Sequence, residues 1–248
     1  MKIIATIKRT PQRDTRMKLT GGGELVTDQI QYEVNPFDDL AVEEALRLRE
    51  KFDGEVIALT VGPPAAGEQL QTALAMGADR AMRVEFSDEL DPLQIATALA
   101  EAVRRESPDL VLCGKLAIDD ENGQVPLMLA ELLDWPHASF ASEIVVEGDA
   151  QKARVTCEVD GGLELVEVEL PAVITTDLRL NEPRYASLPG ILRAKKKPSD
   201  VIPGEEVQGL PARAMSVVGH RQLPARAQGE IVESAEELAE KLISKNLI

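Results

Sequence analysis

The chain has 248 residues, 44% of them hydrophobic and 28% charged, enough for one large core with or without an appended arm. With 43 acids against 27 basic residues the net charge is −16, and aromatics make up only 3%. A nucleic-acid surface built on phosphate neutralisation and base stacking is therefore excluded.

No run approaches the roughly 18–20 apolar residues of a membrane span, and the apolar start MKIIATI stops at Lys8-Arg9, so no direct membrane insertion is expected. Cys113 and Cys157 lack metal-ligand spacing, which fits the reducing cytoplasm, and no metal site is read.

Short β-branched runs alternate with helical patterns along the chain. Strands are expected at KIIATIKR (2–9), EVIALTVG (55–62), RAMRVEF (80–86), DLVLCGK (109–115) and AVITTDL (172–178). Helices are expected between them at 36–52, 67–78 and 91–107. In the first helix Ala41, Ala45, Leu48 and Phe52 share a face. Asn35 is placed to cap it, Pro36 suits its first position, and Asp38 and Asp39 complement its dipole. Such alternation implies an α/β fold with right-handed crossovers and a mostly parallel, helix-covered sheet.

The pattern changes after residue 138. Residues 153–170 alternate with period two around Asp160-Gly161-Gly162, a β-hairpin. A proline-containing, poorly periodic stretch follows Lys197, and then a last helix. Ser234 and Glu237 form a capping box there, and Ala235, Leu238 and Leu242 make an apolar stripe. The expected division is an α/β domain over 1–197 and an extended C-terminal arm over 198–248, available to a partner chain or packed back on its own domain.

In an open parallel sheet, ligands bind at the C-terminal ends of strands near a topological switch point. Four segments should converge there: Thr6-Ile7-Lys8, VNPFDD (34–39), Thr60-Val61-Gly62-Pro63 and GKLAIDDENGQVPLMLAELL (114–133). The last carries Asp119, Asp120, Asn122, Gly123 and Gln124 into a helix N-terminus, whose N–H groups and dipole suit a phosphate. The same Asp and Asn residues serve equally well as caps. Neither GxGxxG nor GxxxxGK[ST] occurs, and no Ser or Cys elbow accompanies His137 or His220. No dinucleotide fingerprint, P-loop or histidine-activated nucleophile is read from the sequence.

A basic stretch stands out in this acidic chain. LRLNEPRYASLPGILRAKKK (178–197) gathers Arg179, Arg184, Arg193, Lys195, Lys196 and Lys197 against one acid, Glu182. Leu188 sits in its middle, beside the turn-forming pair Pro189-Gly190.

Five segments in order resemble the beta subunit of electron transfer flavoprotein along the whole chain. They are VNPFDDLAVEEALRL (34–48), TALAMGADRA (72–81), DLVLCGKLAIDD (109–120), DGGLE (160–164) and LPAVITTDLRLNEPRYASLPGILRAKKK (170–197). The resemblance implies an adenine nucleotide hydrolase-like fold and a heterodimer with an alpha subunit that holds most of a redox-active FAD. The pair would take electrons from acyl-CoA and related dehydrogenases, as in fatty acid beta-oxidation, and pass them to a membrane quinone oxidoreductase. The beta subunit would then be an electron-carrier subunit and no enzyme, with no catalytic residue, and would bury AMP.

Carried over by resemblance, the AMP site comprises Thr6, Asn35, Pro36, Phe37, Asp38 and Val61. It continues through Gly114, Lys115, Leu116, Ala117, Ile118, Asp119, Asp120, Glu121, Asn122, Gly123, Gln124 and Val125, with Phe37 also near the flavin ring. The resemblance also implies that Tyr185, Leu188, Pro189, Ile191 and Arg193 dock the dehydrogenase, with Leu188 entering a hydrophobic pocket. Glu158 would contact the mobile flavin-bearing domain of the alpha subunit. Two departures stand out. Gln124 is followed by Val125-Pro126 where the family carries Thr-Gly, similar to the bifurcating branch that holds a second FAD in place of AMP. TPQRDTR (10–16) also lacks a tyrosine expected near the flavin. An alternative of another class is a stand-alone adenine-nucleotide-binding regulator or hydrolase, although no SGGxDS loop follows the first strand.

Overall fold

The computed structural model describes residues 1–148, 150–224 and 228–248. In chain order the elements are β1 (Lys2–Thr6), β2 (Arg9–Pro11), β3 (Tyr32–Val34), α1 (Pro36–Phe52), β4 (Glu55–Gly62), α2 (Gly67–Met76), β5 (Arg80–Glu85), α3 (Pro92–Glu106) and β6 (Leu110–Gly114). Then come α4 (Val125–Leu133), β7 (His137–Val146), β8 (Lys152–Val159), β9 (Gly162–Glu169), β10 (Ala172–Thr176), α5 (Leu188–Ala194), β11 (Ser199–Pro203) and α6 (Ala235–Ser244). The chain divides into two compact units. Unit 1 holds Met1–Arg16 and Thr27–Val217; unit 2 holds Met17–Val26 and Val218–Ile248.

Unit 1 is an α/β structure. Among the described residues its main sheet has nine strands in the order β11-β5-β4-β1-β6-β10-β7-β8-β9. Pairing is parallel from β11 to β7 and antiparallel from there to β9. The central strands are covered on both sides, which is why they read as unbroken apolar runs. Alternate residues feed opposite cores, as a pleat of period two requires. Ile3, Leu110 and Leu112 join Leu46, Leu70 and Leu74 from α1 and α2. Ile4, Leu59 and Val111 join Leu99, Val103 and Leu129 from α3 and α4.

The hairpin expected over 153–170 forms as β8 and β9, with Gly161 turning at φ +91°. Four further features were not anticipated: the β2–β3 ribbon, β7, the short helix α5 and β11. β11 lies in the stretch assigned by sequence to the arm. It pairs in parallel with β5 and buries Ile202, with Val207 following, so residues 198–217 lie in unit 1.

Unit 2 contains a tight turn closed by a Leu19–Leu25 bridge, with Gly23 at φ +81°, and the helix α6. Ser234 Oγ accepts from the Glu237 N–H at 3.1 Å, but Glu237 Oε2 accepts from the Glu233 N–H at 2.9 Å instead of the cap's own. The expected capping box is half formed. None of the ten residues of α6 is buried.

Candidate functional site

The chain leaves β1 for β4 and β5 on one side and then crosses back to β6 on the other. The switch point is therefore the crevice between the C-terminal ends of β1 and β6. Asp38, buried in the first turn of α1, clamps it. Its Oδ2 accepts from the Lys8 N–H at 2.7 Å, just beyond β1. Its Oδ1 accepts from the Gly114 N–H at 3.1 Å, at the end of β6, and from Asn35 Nδ2 at 3.0 Å.

Asn35 was expected to cap α1 but makes no side-chain cap bond. Its amide reaches across the crevice instead, donating to the Leu116 carbonyl at 2.9 Å and accepting from the Ile118 N–H at 3.2 Å. The reason is competition: the carboxylate of Asp38 and the loop backbone both offer it buried partners. Lys8 completes the tie, with its ammonium 2.7 Å from Asp119 and 2.9 Å from Asp120. Burial works against the charge on Lys8, yet the two carboxylates raise its pKa above the ordinary lysine value.

The remaining site positions fall around this tie. Thr6 ends β1 beside Cys113, whose thiol burial pushes up to about 12, so it is unreactive. Val61 packs half-buried at the end of β4. Glu121 and Gly123 take left-handed conformations (φ +52° and +61°), turning Ala117 to Asn122 into α4. Gln124 precedes α4 without a side-chain cap bond, and Val125-Pro126 form its first turn. Lys115 extends from β6 to Asp177 at 2.7 Å, within 5.1 Å of the Phe37 ring centre.

Burial pushes Asp38 up to about 7 against its three N–H donors. It also pushes Asp39 up to about 7, with Glu33 adding to the effect and Arg13 opposing it. Both carboxyls keep a proton in the folded chain that the unfolded chain has already released above the ordinary value of 3.8. Their contribution to stability is full below that value and is lost as pH rises through about 7. The urea midpoint is expected to fall between about pH 5.5 and about pH 8. Asp39, whose carboxyl accepts no hydrogen bond among the described residues, is the cleaner probe. Asp39→Asn should flatten the fall, and a midpoint unchanged across that range would refute the assignment.

The basic stretch lies elsewhere in unit 1, and its cations divide. Arg184 grips Glu43 at 2.8 Å and Glu50 at 2.6 Å on α1, while Arg179 meets Glu158 at 2.9 Å. Lys197 donates to the Leu74 and Ala78 carbonyls at 3.0 and 2.5 Å. Arg193, Lys195 and Lys196 are exposed, with no ion pair among the described residues. Burial alone would raise Glu43, but hydrogen bonds from Arg184 and Arg47 hold its carboxyl below the usual range. The stapled chain then presents Leu188 at 78% exposure and Tyr185 at 99%. Ser187 Oγ caps α5 by accepting from the Gly190 N–H at 3.1 Å.

The family described as "Electron transfer flavoprotein domain" matches residues 23–206. The electron transfer flavoprotein subunit beta of Homo sapiens is 45% identical over 98% of this chain and 96% of its own length. That of Dictyostelium discoideum is 42% identical over 100% and 99%. That of Bradyrhizobium diazoefficiens is 48% identical over 80% of each. The chain belongs to the electron transfer flavoprotein beta subunit family.

Electron transfer within a flavoprotein is the role of that family. Sequence reasoning missed several residues at this member's crevice. Thr176 Oγ1 donates to the Phe37 carbonyl at 2.9 Å, anchoring the start of α1 to β10. Asp177 holds Lys115, and Phe140 stands on its other side at 5.4 Å. The available signal was the polar run Thr175-Thr176-Asp177, closing an otherwise apolar buried strand.

Proposed function

We propose that this chain is the beta half of a heterodimeric electron transfer flavoprotein whose alpha subunit holds most of a redox-active FAD. The observation carrying this reading is the Asp38-clamped crevice, where residues from three separate segments meet at the switch point. The groups present fit AMP. Asp119 and Asp120 can accept from ribose hydroxyls, while Lys8 and the start of α4 suit a phosphate. Val61 offers an apolar edge to the base. AMP would supply no chemistry; FAD, when bound, carries the electrons.

On this reading the chain is an electron carrier and no enzyme. Leu188 and its neighbours Tyr185, Pro189, Ile191 and Arg193 take up acyl-CoA and related dehydrogenases, and the electrons continue to a membrane quinone oxidoreductase. Glu158, held now by Arg179, exchanges that weak surface pair for the mobile domain of the alpha subunit. Unit 2, with an α6 that buries no residue, supports an arm that packs on the alpha subunit. Two free, buried cysteines agree with work in the cytoplasm. No helix among the described residues is long and apolar enough to cross a membrane.

The test is to co-express the chain with its alpha subunit, denature the purified complex and count the released nucleotides. One FAD and one AMP per heterodimer is the expected result. Two FAD and no AMP would move the chain to the bifurcating branch, the alternative that Val125-Pro126 favours. A complex without flavin would overturn the reading.

A further inference from the structure

Phe140 has a backbone that its side chain does not favour. It lies within β7 at φ +59°, where an L side chain crowds its own carbonyl. The other non-glycine residues with positive φ are smaller or polar, and sit at helix ends and turns, such as Asp53, Ser107 and Asp134. A bulky aromatic in this region is an outlier.

The surroundings impose the conformation. The register of β7 shifts against β10 between Ile174 and Thr176, and against β8 between Ala141 and Glu143. The Phe140 N–H donates to Thr175 Oγ1 at 2.8 Å, and the Ala141 carbonyl accepts from the Asp177 N–H at 2.9 Å. Ala138 and Ala141 are buried on either side, so the bulge throws Phe140 outward to 41% exposure. An exposed ring adds little to the core. Glycine would adopt this backbone without crowding, so the fold itself has no need of a ring at this position. Strain of this kind is kept where it serves a site.

The ring has company there. Lys115 Nζ is 5.4 Å from the Phe140 ring centre and 5.1 Å from that of Phe37, and Asp177 Oδ2 holds it at 2.7 Å. One ammonium is thus shared by two rings at the C-terminal ends of β6 and β10. We propose that Phe140 is a ring-contacting residue, completing with Phe37 and the Lys115 ammonium a platform for the flavin ring system brought by the alpha subunit. The inference rests on the heterodimer reading above. A planar heteroaromatic system matches two aromatic faces, and the ammonium paired with Asp177 fixes the polar edge between them.

The experiment uses the co-purified heterodimer with Phe140→Gly, Phe140→Leu and Phe140→Tyr. Glycine removes both ring and crowding, leucine removes the ring alone, and tyrosine keeps it. Apparent FAD affinity and the visible circular dichroism of the bound flavin are the readouts. Glycine and leucine are expected to weaken FAD binding by about three- to tenfold and to change the flavin spectrum, while tyrosine retains both. Should the glycine variant fail to assemble, the leucine variant decides. Wild-type affinity and spectrum in the glycine and leucine variants would overturn the proposal. A wild-type heterodimer without flavin would overturn the reading beneath it, and the proposal with it.

Discussion

Gly114→Ala is expected to open the crevice and cost roughly 3 kcal/mol or more of stability. A Cβ at this position would stand 2.3 Å from Asp38 Oδ1, 2.8 Å from Phe37 Cβ and 3.0 Å from the Phe37 carbonyl carbon. None of these atoms is the free end of a flexible chain. Asp38 is fixed by three donors, and Phe37 belongs to the first turn of α1, held by Thr176. Overpacking alone costs about 1–3 kcal/mol. Displacing Asp38 also strands the partly buried Lys8 and buried Gly114 N–H groups, at up to about 1–3 kcal/mol for each one left without an acceptor. Against a total stability of about 5–15 kcal/mol, the variant should show a much lower urea midpoint and lose AMP from the complex. A midpoint and AMP content like the wild type would mean that Asp38 is no clamp.

The residues that build this crevice were legible for a physical reason. Parallel strands covered on both faces must be apolar throughout, so β1, β4, β6 and β10 announce themselves, and the polar residues at their ends mark where the cover stops. α1 matches its expected bounds because Pro36, the first-turn acids and the apolar face all agree.

What stayed hidden was structure whose local pattern is broken or overruled. β7 reads HASFASEIVV, and its register shifts interrupt the alternation that would have exposed it. β11 reads SDVIP between prolines, signals of a loop. As an edge strand it has one partner, β5, so a missing N–H is tolerated. The switch of Asn35 from cap to cross-crevice bridge was invisible because its partners, Leu116 and Ile118, lie more than 80 residues away. Local propensity names a capping residue. Only the folded sheet decides what it binds.

The same distinction governs the basic stretch, where sequence shows six cations and the structure, among the described residues, sets two in ion pairs, one on backbone carbonyls and leaves three exposed and unpaired. Leu188→Ala is expected to separate recognition from folding. At 78% exposure its side chain contributes little to the core, and its loss should change the unfolding free energy by no more than about 0.5 kcal/mol. As the apolar anchor of a dehydrogenase contact, its removal should cost about 2 kcal/mol of binding, roughly thirtyfold in affinity. Initial rates of flavin reduction at low dehydrogenase concentration should drop accordingly, with FAD and AMP content unchanged.

Gly190→Ala approaches the same turn from behind. A Cβ there would meet the Ala75 carbonyl oxygen at 2.5 Å, so α5 must lift away from α2 and carry Leu188 with it. This variant should lose docking and stability together, where Leu188→Ala loses docking alone. Wild-type reduction rates in Leu188→Ala at low dehydrogenase concentration would sink the docking role. If Gly190→Ala were then slow while Leu188→Ala was not, the contact would depend on another part of the α5 turn, with Tyr185 the next exposed candidate.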